Sequence, residues 1–228
     1  NCVRVLYDAG YHVDLPAYRR VVTKDWLGKE QEHFEIAGPE WKRSDARDVT
    51  AWFDKQNTEK SPDKENGRQM RRIVRYLKKF AKSRSSWEDA ILSGFGITVL
   101  VAECYRANAE REDVALYDTI KAIRDRLEWN LVVKHPVTPD ATITKGSDDA
   151  KARFLRSKLT DALEWLKPLT QADCTREKAL KSWDAVFSTD FFADRKDLGS
   201  KSGSGTNILS AGILKSTSDQ GQMPAVNK

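Results

Sequence analysis

One short segment constrains the fold of this 228-residue chain more than any other. Residues 95–104 are apolar or glycine except for Thr98 and Glu103. The segment is far too short to span a membrane, which takes about 20 apolar residues. A helix that is apolar on all sides must be buried by other elements. The segment therefore predicts the central, buried helix of a helical domain.

The start of this helix has two interpretations. Ser85 and Glu88 have the spacing of a capping box, which predicts a helix that begins at Ser85 and continues to Cys104. Gly94 and Gly96 would then lie inside the helix, at a cost of about 1 kcal/mol each relative to alanine. They would permit the close approach of another helix or of a ligand. Alternatively, the chain breaks at Gly94 and Ser93 caps a shorter helix.

A second helix, over residues 69–80, is strongly basic. Its apolar residues recur at helical spacing and predict one buried stripe: Met70, Ile73, Val74, Leu77 and Phe80. Most of the remaining surface is cationic: Arg68, Arg71, Arg72, Arg75, Lys78, Lys79 and Lys82. Such faces are usually only solvated. However, almost no acidic residues are interleaved here, which favours an anionic ligand and agrees with the net charge of +5.

The N-terminal residues predict a β-hairpin. A strand over residues 2–7, a turn at 8–10 and a second strand over 11–18 follow one another. Asp14 interrupts the second strand and points away from Tyr11, Val13 and Leu15. A carboxylate held on a sheet is a suitable ligand for Mg²⁺. The alternative is an exposed aspartate on a solvated face.

The remaining pattern is mostly helical, so the predicted fold class is α+β. Ser44 and Asp45 can cap a helix that includes Val49, Trp52 and Phe53. Further helices are predicted over 114–129, 148–169 and 176–187, with a loop at 57–67 and an extended linker at 135–139. We expect three regions: a sheet region (1–43), a helical domain (44–195) and a flexible tail (196–228) that is rich in glycine and serine.

The cysteines indicate a reducing compartment. Cys2, Cys104 and Cys174 have no metal-ligand spacing, and their odd number argues against a disulfide scaffold. The sequence contains no recognisable signal peptide and no apolar run of membrane-spanning length. These observations predict a cytoplasmic protein without membrane attachment.

Several segments together carry a family resemblance. Residues 11–18 resemble the third-aspartate strand of bacterial cyclic-oligonucleotide synthases (CD-NTases), which are related to cyclic GMP-AMP synthase and oligoadenylate synthase. Further similar segments follow in the same order: 34–38 with Trp41 and 44–45, 68–78, 93–104, 130–139, 183–187 and 190–192. Each segment alone is weakly specific, but the ordered set, which covers roughly residues 2–194, is fairly specific.

The resemblance implies both a fold and an activity. The fold would be the C-terminal part of a polymerase-β-like nucleotidyltransferase palm, followed by an oligoadenylate-synthase-like helical domain. The activity would be Mg²⁺-dependent synthesis, with Mn²⁺ as a substitute, of a cyclic di- or trinucleotide messenger for anti-phage (CBASS) defence. The family's Gly-Ser motif and first two metal-binding aspartates would precede Cys2. We therefore expect an incomplete chain that does not catalyse by itself.

The resemblance also assigns roles to individual residues. Asp14 would be the third metal-binding carboxylate and a catalytic residue. Lys78 would contact the triphosphate of ATP, GTP or another nucleoside triphosphate, with Ser93 opposite. Arg71, Arg75 and Arg72 would support the same phosphates, although one helix cannot point all three inward. The tail would lie across its own helical domain or in a partner's groove, anchored by residues 208–209 and 213–214. The resemblance implies a ubiquitin-like conjugation enzyme or a HORMA-type activator as that partner.

Two other functions fit the same residues. A template-independent RNA-tailing nucleotidyltransferase would share Asp14 but would also need a track for RNA. A non-catalytic nucleic-acid-binding module would use the basic helix alone, although the sequence shows no RNA-recognition motif.

Overall fold

The computed structural model describes residues 2–138 and 141–194, apart from the side chain of Ala46. The chain is α+β and consists of two compact units. Among the described residues, the first unit contains 2–54 and 136–138, and the second contains 55–135 and 141–194. The predicted tail, with the partner segments at 208–209 and 213–214, lies outside the described residues.

The first unit contains two small antiparallel sheets. One is a hairpin of β1 and β2, and the other has the strand order β3-β4-β5. The strands are β1 (Cys2–Leu6), β2 (His12–Pro16), β3 (Tyr18–Lys24), β4 (Glu30–Ile36) and β5 (Lys42–Arg43). The sheet region that the sequence predicts is therefore present, in two separate pieces.

The β1–β2 hairpin closes at the predicted turn. Gly10 has a φ of 79°, which suits glycine, and its amide N–H donates to the carbonyl oxygen of Tyr7 at 3.0 Å. The rings of Tyr7 and Tyr11 stack with centroids 4.5 Å apart. The prediction of a single strand over 11–18 is wrong, because β2 ends at Pro16 and β3 starts a different sheet at Tyr18. Proline has no amide hydrogen with which to extend a strand ladder.

The second unit is helical. Its helices are α2 (Gln69–Ala81), α3 (Gly94–Cys104), α4 (Glu112–Trp129), α5 (Ala150–Trp165) and α6 (Arg176–Phe187), and it also contains the end of α1 (Ala46–Lys60). Short 3-10 turns lie at Glu65–Gly67, Ser85–Trp87 and Lys167–Thr170. The last of these replaces the final residues of the helix predicted over 148–169. Within the described residues, no helix combines the length and the apolarity needed to cross a membrane.

The core of this unit forms around α3, as the sequence predicts. Eight of its eleven residues are buried, and it packs against α2 and α4. The predicted apolar stripe of α2 is also buried, with exposed fractions between 0% and 5%: Met70, Ile73, Val74, Leu77 and Phe80. Burial of this stripe leaves the cationic residues of α2, apart from Arg72, at the edge of the core or outside it.

The capping-box prediction at Ser85 is wrong, and the alternative interpretation is confirmed. Ser85 begins a single 3-10 turn and makes no capping bond. The Ser93 hydroxyl instead accepts a hydrogen bond from the amide N–H of Gly96 at 3.2 Å, so Ser93 is the N-cap of α3. Gly96 is needed because an added Cβ would lie 2.7 Å from the Cγ of buried Leu92.

The predicted loop starts later than expected because α1 extends to Lys60. Buried Asn57 stabilises this extension, since its Oδ1 accepts hydrogen bonds from the Ser61 hydroxyl at 3.2 Å and from the Arg71 amide at 3.0 Å. The Asp63 carboxylate accepts from the Gln69 amide at 2.8 Å. Side chains of the preceding segment therefore cap the first turn of α2.

Arg72 is buried in an ion-pair network and is not available as a phosphate ligand. It is 5% exposed and binds Glu112, which is 1% exposed, through Nε–Oε1 and Nη2–Oε2 distances of 2.9 and 2.7 Å. A second carboxylate, that of Asp63, also accepts from Nη2. Burial disfavours the charged guanidinium, but the hydrogen bonds that Arg72 donates to Glu112 and Asp63 outweigh this effect and raise the pKa of Arg72. The expectation that Arg72 supports the phosphates is therefore wrong.

We expect Arg72→Leu to lower the free energy of unfolding by about 3 kcal/mol or more, because it leaves Glu112 charged and buried. Urea denaturation measures this loss. Lys181→Ala is the matched control, because it removes an exposed ion pair with Glu177, worth at most about 1 kcal/mol. Equal losses in the two variants would show that the Arg72 network does not stabilise the fold.

Candidate nucleotide-binding site

Lys78 lies against the first turn of α3. A Cβ added to Gly94 would be 3.4 Å from the Cε of Lys78 and 3.7 Å from its Cδ, so the lysine stem passes directly over the glycine. The sequence predicted a close approach at Gly94, and the approaching group is this stem. Lys78 is half-buried and makes no hydrogen bond or ion pair through its ammonium group with residues 2–138 or 141–194.

The surroundings of Lys78 disfavour its positive charge. Burial lowers the pKa of its ammonium group, and the like charge of Lys82 lowers it further. An anion bound beside the ammonium would reverse both effects, because it would neutralise the charge. Because its stem also lies against Gly94 at the start of α3, Lys78 is a candidate for binding an anion.

Ser93 and the N-terminus of α3 provide further groups for an anion. Ser93 is exposed, and its carbonyl oxygen accepts from the Ile97 amide at 3.0 Å. The first amide groups of an α-helix have no acceptor within the helix, and they carry the positive end of the helix dipole. Lys78 adds a full charge beside this end. The structure thus brings Lys78 and the Ser93–Gly94 turn together, as the resemblance implies.

Arg71 and Arg75 lie on the same side of α2 as Lys78. The three positions fall within about 60° of one another around the helix axis. Arg71 is half-buried, and its stem packs on Gly67, where an added Cβ would be 3.0 Å from the Arg71 Cδ. Arg75 is exposed. The contribution of Arg71 and Arg75 to phosphate binding stays a prediction.

Asp14 belongs to the first unit. It lies on β2 directly opposite Arg4 of β1. The two side chains form a bidentate pair, with Nε–Oδ1 and Nη2–Oδ2 distances of 2.7 and 2.9 Å. The hydrogen bonds from Arg4 lower the pKa of the Asp14 carboxyl group, which is therefore ionised at neutral pH. Sequence analysis missed Arg4, although the hairpin register across the turn places it opposite Asp14.

The described residues do not form a metal centre by themselves. Within residues 2–138 and 141–194, no three His, Cys, Asp or Glu side chains are grouped so that they could hold a metal ion. Asp14 offers a single carboxylate that already binds Arg4, whereas Mg²⁺ requires near-octahedral oxygen ligation. A magnesium site at Asp14 would need ligands beyond those described.

Comparison with known proteins identifies the fold. No family model matches the sequence. The structure of Vibrio cholerae DncV cyclic AMP-GMP synthase with the linear intermediate pppA(3′,5′)pG matches at a TM-score of 0.61 and 18% identity, over 91% of this chain and 52% of that one. The same synthase with nonhydrolyzable GTP matches at 0.61 and 19% identity, over 82% of this chain and 50% of that one.

The chain has a DncV-like fold. It spans about half the length of the DncV chains that it matches. The predicted α+β fold of a cyclic-oligonucleotide synthase is thereby confirmed. At this level of identity, the DncV-like fold gives no roles to individual residues, so the roles of Asp14, Lys78 and Ser93 stay predictions.

We expect Lys78→Met, which keeps the linear stem and removes the charge, to raise the melting temperature at neutral pH. The pKa of Lys78 is lower in the folded chain than its ordinary value of 10.5, so the charge destabilises the folded state below that lower pKa. The difference between wild type and variant should shrink as the pH rises through the folded pKa towards 10.5, because folded Lys78 is then already neutral. Calorimetry across this pH range measures the difference.

The matched control is Lys79→Met, since Lys79 is exposed on the same helix. At neutral pH the melting temperature of Lys79→Met should stay close to that of the wild type, because an exposed charge contributes little to stability. A melting temperature of Lys78→Met below that of the wild type would mean that the charge stabilises the folded chain.

Proposed function

We propose that this chain is the nucleoside-triphosphate-binding part of a nucleotidyltransferase that makes a cyclic oligonucleotide. One observation carries the proposal: the stem of half-buried Lys78 lies against the Ser93–Gly94 turn of a DncV-like fold, and its ammonium has no partner among residues 2–138 and 141–194. The DncV structures contain GTP or a linear nucleotide intermediate, which supports nucleoside triphosphates as substrates.

The chemistry of a triphosphate fits the candidate site. A charge-assisted hydrogen bond from Lys78 to a phosphate oxygen contributes about 1.5–3 kcal/mol. The Ser93 hydroxyl and the first amides of α3 can donate to other oxygens of the same group. Arg71 and Arg75, on the same side of α2, would strengthen binding through their charge.

The finer parts of the proposal rest on the resemblance. We propose a cyclic di- or trinucleotide product, a role in anti-phage defence, and Mg²⁺ (or Mn²⁺) as the metal. Asp14 would provide one carboxylate of the metal site. Its ionised state supports this role. Since the remaining ligands are not among the described residues, no catalytic step follows from this chain alone. We also propose a cytoplasmic location, because nucleoside triphosphates are available there. A protein partner for residues 196–228 belongs to the same proposal.

We expect Lys78→Ala to weaken binding of ATP and GTP by about tenfold or more, because one charge-assisted contact is lost. Titration calorimetry on the 228-residue chain measures the affinities. Lys79→Ala removes an equal charge from an exposed position on the same helix and should change them by less than about threefold. If the two variants weakened binding equally, α2 would contribute to binding only through its overall positive charge and not through a specific contact of Lys78.

Asp14→Asn should abolish nucleotide joining and leave the fold intact. The test uses a protein that contains this chain together with two further metal-binding carboxylates, incubated with ATP, GTP and Mg²⁺. Circular dichroism checks the fold, and chromatography measures the product. Product formation at the wild-type rate would rule out a metal-binding role for Asp14.

Nucleic-acid binding is the second candidate, because Arg75, Lys79 and Lys82 are exposed along α2. It predicts binding of RNA that weakens steeply with salt and does not depend on Asp14. An RNA-tailing enzyme would instead depend on Asp14 and yield an extended RNA. A cyclic product distinguishes the main proposal from both.

A further inference from the structure

The ion pair between Arg4 and Asp14 occupies both oxygen atoms of the candidate metal ligand. The Nε of Arg4 donates to Oδ1 at 2.7 Å, and its Nη2 donates to Oδ2 at 2.9 Å. The side chain of Arg4 is 53% exposed and that of Asp14 is 40% exposed, so water reaches the pair. Ion pairs that are exposed in this way are weak and reversible. The carboxylate therefore has a partner that it can exchange for another cation.

The β1–β2 hairpin does not rely on this pair for its shape. The two strands are in antiparallel register over five residue pairs, of which Arg4 and Asp14 are only one. At the turn, the amide N–H of Tyr7 donates to the carbonyl oxygen of Tyr11 at 3.0 Å, and the two rings stack. The hairpin would therefore keep its register if Arg4 released Asp14.

Arg4 and a divalent cation make conflicting demands on Asp14. A cation bound to this carboxylate would lie only a few ångströms from the guanidinium, where like charges repel most strongly. The Nε2 of His12 lies 3.9 Å from Oδ2, too far for a hydrogen bond, so His12 does not hold Asp14 in place of Arg4.

We propose that Arg4 and the divalent cation compete for Asp14, so that Arg4 raises the metal concentration at which the site fills. This inference rests on the proposed function and deepens it, because it names a residue of this chain that regulates metal binding at Asp14. A cross-strand pair that only stabilised the hairpin would have no such effect.

The test measures binding of Mn²⁺ alone by electron paramagnetic resonance, in the same protein as the Asp14→Asn test. Arg4→Gln removes the competing charge and should lower the half-saturating Mn²⁺ concentration by about three- to fivefold. Arg4→Lys keeps the charge but loses the bidentate contact, so its value should lie between the two. Arg20→Gln is the matched control, because Arg20 forms a similarly exposed pair with Glu32 in the three-stranded sheet. It should change the value by less than about twofold.

A second measurement follows Arg4 itself. Because competition is reciprocal, saturating Mg²⁺ should weaken the hydrogen bond that the Nε of Arg4 donates to Asp14. Nuclear magnetic resonance should then show faster exchange of the Arg4 Nε proton with water. In Asp14→Asn, Mg²⁺ should leave this exchange rate unchanged, because the ion pair is already lost.

The outcomes separate this inference from the proposed function. If Arg4→Gln leaves the half-saturating Mn²⁺ concentration unchanged, Arg4 does not compete with the metal. If Arg4→Gln raises that concentration, Arg4 instead positions Asp14 for the metal. Either result overturns the inference and leaves the proposed function standing, provided that Asp14→Asn weakens Mn²⁺ binding. If Asp14→Asn binds Mn²⁺ like the wild type, the proposed metal role of Asp14 is wrong and the inference fails with it.

Discussion

The buried ion pair between Arg72 and Glu112 joins α2 to the start of α4 in the helical unit. Because Arg72 faces Glu112, the pair constrains the rotation of α2 about its axis. The same rotation buries the apolar stripe that packs on α3. It leaves the row of Arg71, Arg75 and Lys78 at the rim of the core, where Lys78 meets the first turn of α3. The buried arginine and the apolar stripe together thus leave Lys78 beside the start of α3.

The sequence predicted those helices and strands whose residue patterns lie within a short stretch of the chain. The apolar spacing of α2 and the uniformly apolar α3 each indicate burial within about a dozen residues, so both were predicted correctly. The helix over 176–187 was predicted with the observed bounds, and the hairpin followed from its turn at Gly10. At the candidate site, the prediction that Lys78 and Ser93 lie opposite each other came from the resemblance. The contact of the Lys78 stem with Gly94 agrees with this prediction.

Features that depend on distant residues were not predictable. Seven basic residues lie between Arg68 and Lys82, and nothing local separates Arg72 from its neighbours. Its carboxylate partners, Asp63 and Glu112, are 9 and 40 residues away. Similarly, Ser85 and Ser93 both suit an N-cap, and only the structure shows that Ser93 caps α3. Composition signals a cationic surface, but only the tertiary structure shows which charges are already neutralised.

The two candidate functional charges, Asp14 and Lys78, differ in whether a charged partner within the described residues neutralises them. Asp14 is paired with Arg4, which keeps the carboxylate ionised and fixed on the hairpin. Lys78 has no such partner in the described part of the chain, and burial makes its charge unfavourable. A fixed internal carboxylate would compete with phosphate for Lys78 and would have to be displaced on binding. An unpaired ammonium gains its partner only when the anion arrives, so the full charge-assisted interaction contributes to affinity.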